Sequence, residues 1–228
     1  MWVWISQYVQ HPLHNVASAC LSGVDRRIRD HSGMGICGID EAGRGPWAGP
    51  VVAAAVILPV KKRPRGLDDS KQLSPEMRES LALEIRACAE VGLGIASPEE
   101  IDQLNILRAT HLAMRRAFEA LALRPVAALI DGNSLPDLPC AMEAIVDGDA
   151  CVAAISAASI IAKVERDRMM VELCARHPGY LFAKHKGYGT PEHQAALARL
   201  GPCAIHRMSF KPVAAALSAH DRTIARAS

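Results

Sequence analysis

Short apolar runs of strand length alternate with longer amphipathic runs over most of the chain. The first two apolar runs follow each other closely and predict a hairpin, and the later ones are separated by helical patterns. Two of the predicted strands end in an aspartate, Asp40 and Asp131. The predicted strands are GICGID (35–40), PVVAAAVIL (50–58), VGLGIAS (91–97), VAALID (126–131) and a short one at 144–146.

Serine and threonine caps indicate where helices begin. A long helix is expected over residues 152–176, stopped by Pro178, and a last one after Pro212. The cap signals are Ser74 before Pro75 for a helix to about residue 89, Ser97 three residues before Glu100 ahead of an amphipathic run reaching Leu121, and Thr190 before Pro191. This alternation predicts an α/β fold with a mixed central sheet flanked by helices and a helical C-terminal segment from about residue 178.

Residues 1–33 show no clear periodicity, and Met34 stands directly before the first predicted strand. We therefore expect a poorly ordered N-terminal extension, residues 1–33, and a catalytic domain, residues 34–228. The extension fails as a signal peptide because polar residues interrupt its apolar run, and no window is long enough to span a bilayer.

Composition places the chain among globular proteins with an aliphatic core, since 50% of its 228 residues are hydrophobic and 4% aromatic. A formal charge of +2 neither requires nor excludes a nucleic-acid partner. Seven cysteines without a C-x-x-C pair indicate free thiols in a reducing cytoplasm rather than disulfides or zinc. We expect a cytoplasmic monomer that does not bind membranes.

Acidic residues recur at the ends of predicted elements: Asp40 and Asp131 close strands, and Asp149 opens a helix. Strand ends at one edge of an α/β sheet meet, so these side chains can converge with Glu41. Clustered carboxylates need cations, and oxygen ligands favour Mg²⁺ or Mn²⁺, a pair of which can hydrolyse a phosphodiester. Each acid taken alone is more commonly a turn former or helix cap, and a nucleic-acid-binding module with structural acids is the alternative class.

Two adjacent acids in a regular strand point to opposite faces. Asp40 and Glu41 could therefore share one site only if the strand breaks between or beside them, and we expect Gly43 and Gly45 to supply that break.

The segment GRGPWA, residues 43–48, matches a dinucleotide-binding fingerprint, G-x-G-x-x-A. That use requires a helix to begin there, whereas Pro50 and an apolar strand follow, so no nucleotide cofactor is expected. The bare backbone of Gly43 and Gly45, with Arg44, could instead approach a ribose 2′-hydroxyl and a phosphate. A plain tight turn is the alternative.

Basic residues and one tyrosine are candidates for gripping a nucleic acid. Tyr188, between two glycines, suits a stacking role or ordinary packing, and His185 could move a proton or bond the backbone. The candidates for phosphate contacts are the basic run KKRPR (61–65) and Lys71, Lys163, Lys184, Lys186 and Arg207. A solvated surface is the simpler explanation for any one of them.

Taken together, these segments resemble bacterial ribonuclease HII, the type 2 ribonuclease H. The matching blocks run in the family's order from about residue 35 to 213: GIDEAGRGPWAGPVVAAAVIL, DSKQLS, EIDQLNILRATHLAMRRA, LIDGN, GDACVAAISAASIIAKVERDR, HPGYLFAKHKGYGT and HRMSFKPV. The resemblance implies a ribonuclease H-like fold and metal-dependent cleavage 5′ of ribonucleotides embedded in duplex DNA. It also implies cleavage of the RNA strand of RNA/DNA hybrids, with 3′-hydroxyl and 5′-phosphate ends, as used in ribonucleotide excision repair.

The same resemblance assigns roles residue by residue. Its four catalytic and metal-binding acids correspond to Asp40, Glu41, Asp131 and Asp149. Asp147 is the alternative to Asp149, because it places a negative charge near the proposed metal site where the family frequently has a lysine. The 2′-hydroxyl sensor corresponds to Gly43, Arg44 and Gly45, and the stacking residue to Tyr188. Lys71 and Lys163 lie inside matching blocks and are the preferred phosphate contacts. Arg44, and the short extension, resemble type 2 rather than type 3 enzymes, which carry a lysine in this loop.

Overall fold

The structure is a computed structural model that describes residues 35–59, 63–67, 70 and 72–227. The predicted N-terminal extension, Lys71 and the first two lysines of the basic run lie outside these residues. Within the described part of the chain, no helix combines the length and apolar character needed to cross a membrane.

The described residues form five strands and eight helices, in the alternation that the sequence predicts. The strands are β1 (Ile36–Ala42), β2 (Val51–Ile57), β3 (Glu90–Ala96), β4 (Ala127–Asp131) and β5 (Ala141–Ile145). The helices are α1 (Pro75–Cys88), α2 (Pro98–Leu104), α3 (Ile106–Glu119), α4 (Gly148–Cys151), α5 (Ala153–Arg176), α6 (Phe182–His185), α7 (Pro191–Leu200) and α8 (Lys211–Ala227).

The strands form one mixed sheet in the order β3-β2-β1-β4-β5. Strands β1 and β2 are the predicted antiparallel hairpin, whereas β1 pairs with β4, and β4 with β5, in parallel. The expectation of a mixed sheet with flanking helices is confirmed. Parallel neighbours bring the carboxyl ends of β1, β4 and β5 to the same edge, which becomes important for the acids.

Backbone contacts divide the chain into two compact units. The first contains the described residues of Met1–Ala42, Val52–Ile95 and His111–Val164, and the second contains Gly43–Val51, Ala96–Thr110 and the described residues of Glu165–Ser228.

The core of the first unit is aliphatic and rich in alanine. Strand β2 and the first half of α5 supply most of it, and their small side chains allow sheet and helix to approach closely. Gly38 on β1 shows how close, because a Cβ there would overlap the backbone of Ala154 and Ile155. The α5 residues in this core are Ala153, Ala154, Ala157, Ala158, Ile160, Ile161 and Ala162.

The core of the second unit is different in chemistry. Ala48, Met170, Tyr180, Phe182 and Ala196 form its buried apolar cluster. Three histidine rings pack against these aromatic residues, and all three are buried: His185, His193 and His206.

The cap signals are confirmed at three helices. Ser74 and Thr190 accept hydrogen bonds from the amides of Met77 and His193, and Ser97 forms a capping box with Glu100.

The amphipathic run after Ser97 is not one helix, because it divides at Asn105 into α2 and α3. Asn105 has a positive φ of 68°, and its Oδ1 accepts the amides of Leu107 at 3.0 Å and Arg108 at 3.2 Å. With a ψ of 163° the backbone of Asn105 leaves the helical conformation, and its side chain caps the second helix, so one residue ends α2 and starts α3.

Candidate active site

Strand register brings the predicted acids together. Ile39 of β1 pairs in parallel with Ile130 of β4, so the next residues, Asp40 and Asp131, lie side by side at the carboxyl edge. Asp131 in turn pairs with Ile145 of β5, after which the chain turns into α4. Three separate elements therefore converge through regular sheet geometry.

Asp40, Asp131 and Asp149 form a cluster of three carboxylates. One oxygen from each lies within 4.8 Å of the others. Asp40 and Asp149 are buried, with 5% and 6% of their surface exposed, and Asp131 is half-buried. This cluster is the only group of metal-ligating side chains of that size among the described residues.

Backbone amides fix two of these carboxylates. Asp131 Oδ1 accepts the amide of Gly148 at 2.8 Å and that of Asp149 at 3.4 Å, which holds the start of α4 against β4. Asp40 Oδ1 accepts the amide of Glu41 at 2.7 Å. The acids are thus oriented by the main chain before any ligand is present.

The electrostatics of the cluster are unfavourable to the charged state. Burial raises the pKa of Asp40 well above its ordinary value, and the charges of Glu41 and then Asp131 raise it further. Hydrogen bonds from Ser159 and from the Glu41 amide act in the opposite direction on the same pKa. The Ser159 hydroxyl also bonds to that of buried Ser70, 2.9 Å away, within the DSKQLS block. The effects that raise the pKa of Asp40 outweigh those that lower it, so the charged form of this carboxyl is disfavoured.

The chemistry of this donor set fits a hard divalent cation. All three side chains offer oxygen, and neither histidine nor cysteine belongs to the group, which favours Mg²⁺ or Mn²⁺ over zinc.

The simpler roles considered for these acids, turn former and helix cap, are only partly observed. Asp131 does bond backbone amides, as a turn former would. Asp149, however, does not cap a helix: the N-cap of α4 is Asp147, which has a left-handed φ of 53° and no capping hydrogen bond from its side chain. Asp147 is exposed and lies outside the three-acid cluster, so the geometry favours Asp149 over it as the fourth acid.

Glu41 does not join the cluster as expected. The predicted strand break is absent, because β1 pairs regularly with β2 through Glu41 and Ala42. Consecutive residues in a regular strand face opposite sides, so Asp40 and Glu41 diverge. Glu41 still raises the pKa of Asp40 through its charge, which makes it a close neighbour rather than a member of the three-acid set.

The glycine-rich segment Gly43–Gly49 belongs to the second unit and leads into β2, not into a helix. This context does not support the dinucleotide-binding use. Gly43 is buried with a φ of 99°, and a Cβ there would overlap Arg166, whereas Arg44 and Gly45 are exposed. The loop therefore presents two residues at the surface over a closely packed base.

Tyr188 lies beside this loop within the second unit. Its ring is 46% exposed, and an added Cβ on Gly45 would be 3.7 Å from the ring. The backbone carbonyl of Tyr188 accepts a hydrogen bond from His193 Nδ1 at 2.9 Å, and His193 Nε2 lies 3.1 Å from His206 Nε2. His185 bonds the carbonyl of Tyr180 and accepts the Gly187 amide, so it has a backbone-bonding role here.

The basic candidates differ in where the structure places them. Lys163 is half-buried on α5, and Lys184 pairs with Glu192 at 2.6 Å on the surface. Lys186 bonds the carbonyl of Ala183. The phosphate-contact prediction was wrong for Arg207, which is fully buried and bonds backbone carbonyls through its guanidinium.

Sequence reasoning missed a pair of buried arginines beneath the loop. Arg166 Nε and Nη2 donate to the carbonyls of Pro50 and Ala48 at 3.0 and 3.2 Å. Arg207 donates to five carbonyls of the same segment. Burial, and then the charge of Arg166, lower the pKa of Arg207 to about 9, so the side chain remains protonated at neutral pH. The signal that could have indicated a specific role for Arg207 is its position in the matching block HRMSFKPV.

Comparison with known proteins agrees with this geometry. The Ribonuclease HII family model matches residues 37–213. A ribonuclease HII from Parvibaculum lavamentivorans is 60% identical over 184 residues, covering 80% of this chain and 68% of the relative. One from Rhizorhabdus wittichii is 56% identical over 179 residues, covering 78% and 89%. The crystal structure of ribonuclease H2 from Pyrococcus horikoshii OT3 matches with a TM-score of 0.69 at 26% identity, covering 81% and 98%.

The sheet topology and its edge of acids define an enzyme of the ribonuclease H class. More particularly, the chain belongs to the ribonuclease HII family, whose model covers most of its length. It is therefore an endoribonuclease, a hydrolase of type 2 ribonuclease H, and the resemblance stated from the sequence is confirmed. The alternative of a binding module with purely structural acids is set aside.

Proposed function

We propose that the enzyme cleaves on the 5′ side of ribonucleotides embedded in duplex DNA, and cleaves the RNA strand of RNA/DNA hybrids, leaving 3′-hydroxyl and 5′-phosphate ends. The observation that carries this proposal is the cluster of Asp40, Asp131 and Asp149, in which burial and neighbouring carboxylates disfavour the charged form of Asp40. Such a cluster suits phosphodiester hydrolysis supported by divalent cations.

The three clustered acids would hold Mg²⁺ or Mn²⁺, with two ions during catalysis. When bound, these ions supply an activated water and stabilisation of the leaving oxygen. Asp131 and Asp40 orient their carboxylates through the amides of Gly148 and Glu41, so the site keeps its shape when charge changes. Glu41 lies outside the cluster but raises the pKa of Asp40, so it would act on the bound ions through its negative charge.

Recognition of the ribonucleotide is assigned to the second unit. Gly43, Arg44 and Gly45 would read the 2′-hydroxyl through their backbone, because a hydroxyl can both donate to and accept from peptide groups. The exposure of Arg44 and Gly45 supports this role. The exposed ring of Tyr188 beside Gly45 would stack on the sugar or base.

Phosphate binding is assigned to Lys163 and Lys71, of which only Lys163 lies among the described residues. In this proposal the enzyme acts as a monomer in the cytoplasm, uses no nucleotide cofactor and does not bind membranes. The six described cysteines are all free, which is compatible with a reducing compartment.

The proposal is tested with a labelled DNA duplex that contains one ribonucleotide. We expect cleavage with Mg²⁺ or Mn²⁺ and none with a chelator, and the matched all-DNA duplex should stay intact. The position of the cut and the ends are read by extending the product with a DNA polymerase and by ligating it. Metal-supported cleavage on the 3′ side, or products that cannot be extended, would overturn the assigned chemistry.

A further inference from the structure

Arg207 contacts the glycine-rich segment through every nitrogen of its guanidinium group. Nε donates to the carbonyl of Gly49 at 3.0 Å. Nη1 donates to Arg44 at 2.9 Å and Pro46 at 2.7 Å, and Nη2 to Gly43 at 2.5 Å and Pro50 at 3.3 Å. The guanidinium group has five N–H donors in a rigid planar fork, and all five are used on one loop.

By holding the carbonyl oxygens, Arg207 also fixes the orientation of the whole peptide groups to which they belong. A trans peptide is planar, and its N–H points opposite to its C=O. The carbonyls of Gly43 and Arg44 point at the buried guanidinium, so the amides of the following residues, Arg44 and Gly45, point away from it. Arg44 and Gly45 are the two exposed residues of this part of the loop.

Arginine side chains hold both halves of the loop, and in the later half backbone hydrogen bonds act beside them. Backbone bonds anchor the later half: the amides of Trp47 and Gly49 donate to Gly187 and Ile205 at 2.8 Å, and the Trp47 carbonyl accepts the Arg207 amide at 2.9 Å. The earlier half, from Gly43 to Pro46, is held through three carbonyls by the Arg207 side chain. Glycine at positions 43 and 45 would otherwise leave that half conformationally free.

We propose that Arg207 is the positioning residue that gives the enzyme its preference for a ribose 2′-hydroxyl, by aiming the amides of Arg44 and Gly45 outward. The inference rests on the proposed role of this loop in sensing the ribonucleotide. Arg207 itself touches no substrate, because it is fully buried beneath the loop.

The test is Arg207→Lys, which keeps a positive charge but replaces the planar fork with an ammonium group that cannot reach five carbonyls. Binding is measured in chelator, without cleavage, for a duplex with one ribonucleotide and for the identical all-DNA duplex. We expect the variant to lose at least fivefold of the wild-type preference for the ribonucleotide while binding the all-DNA duplex within twofold. Its kcat/KM for the ribonucleotide duplex should fall at least tenfold.

Tyr180→Phe is the matched control, since it removes a buried hydrogen bond of 2.6 Å to the Gly201 carbonyl in the same unit without touching the loop. It should lower the melting temperature yet keep the wild-type preference. If Arg207→Lys also keeps that preference, the inference about Arg207 is wrong although the proposed function stands. If the wild-type enzyme itself shows neither preference nor cleavage, the proposed function fails first.

A second measurement keeps the idea testable should Arg207→Lys not fold. In ¹⁵N NMR spectra of the wild-type protein, the Arg207 guanidinium protons should be resolved and exchange slowly. The amide signals of Arg44 and Gly45 should shift with the ribonucleotide duplex and not with the all-DNA duplex. Rapidly averaging guanidinium signals, or identical shifts with both duplexes, would refute the proposal.

Discussion

The acid cluster of the first unit and the arginine-anchored loop of the second both bury charge, but they compensate it differently. Asp40, Asp131 and Asp149 are like charges held together, and burial raises the pKa of Asp40. Arg207 also lies near a like charge, that of Arg166, but its five donors all meet carbonyl oxygens. In the first arrangement neighbouring carboxylates disfavour the charged form of Asp40, which suits a divalent cation, whereas in the second every donor of the cation meets an oxygen of the protein. Clustering of like charges, rather than burial of charge by itself, therefore points to a ligand site.

The largest expected effect comes from removing one charge of the cluster. Asp131→Asn keeps an oxygen that can accept the Gly148 amide and removes the negative charge at nearly constant volume. We expect cleavage to fall by at least about 10³-fold, as when a main electrostatic contributor is lost. Single-turnover cleavage of the ribonucleotide duplex measures this, and circular dichroism verifies the fold. Activity within tenfold of wild type would show that Asp131 is structural.

Acidification should destabilise the second unit, because that unit contains the buried histidine His206. Burial, then the charge of His193 and smaller effects of His177 and His185, lower the pKa of His206 to about 4. Because the folded protein binds this proton less readily than the unfolded chain, stability is complete above about pH 6.5 and falls as the pH drops toward 4.

The part of this loss due to His206 is up to about 3 kcal/mol. Urea unfolding of wild type and His206→Asn at pH 7, 5.5 and 4.5 isolates it, since the carboxylates titrate in both proteins. The free energy of unfolding should fall less steeply with acid in the variant. Parallel curves for the two proteins would contradict the assignment to His206.

A divalent cation should stabilise the first unit's cluster measurably. At a concentration a hundredfold above its Kd, Mn²⁺ adds about 2.7 kcal/mol to the free energy of unfolding. In Asp40→Asn this gain should disappear, and the metal-free variant should melt about 2–4 °C above metal-free wild type, because about 1 kcal/mol of repulsion and burial cost is removed. Thermal melts with Mn²⁺ and with chelator give both quantities. Equal Mn²⁺ shifts in both proteins would place the ion elsewhere.

The smallest expected effect comes from removing the hydrogen bond by which Ser159 lowers the pKa of Asp40. Ser159 donates a hydrogen bond that favours charged Asp40, and Ser70 bonds Ser159 in turn. Ser159→Ala should weaken Mn²⁺ binding about tenfold, the lower end for groups that support metal ligands. Ser70→Ala keeps the Ser159 hydroxyl and is the matched control, expected to change the calorimetric Kd less. The reverse order would assign the orienting role to Ser70.

The sequence predicted the convergence of the acids because sheet topology determines it. Asp40 and Asp131 close apolar runs, and parallel pairing of such runs brings their ends together whatever the loops do. The position of Glu41 was not predictable, because the strand continues two residues past Asp40 through pairing with β2, a tertiary property. The division at Asn105 was also not predicted, because the sequence after Ser97 was interpreted as a single amphipathic run.

Arg207 marks the limit of reading charge from a sequence. An arginine is usually on the surface, and nothing local shows that five carbonyls of a segment 157 or more residues earlier in the chain surround it. Its burial follows from how that segment folds over it. The acids can thus be found along the chain, whereas the arginine support beneath the glycine-rich loop cannot.

The hydrogen bonds to Asp40 and Asp131 also have a consequence for which ion the enzyme can use. Each of these carboxylates has one oxygen already engaged by a main-chain amide, at 2.7 and 2.8 Å, which favours single-oxygen coordination by the other. Calcium commonly takes both oxygens of a carboxylate and a larger shell, whereas magnesium prefers single oxygens in an octahedron completed by water. We therefore expect this cluster to bind magnesium more tightly than calcium, which calorimetric titration with each ion measures.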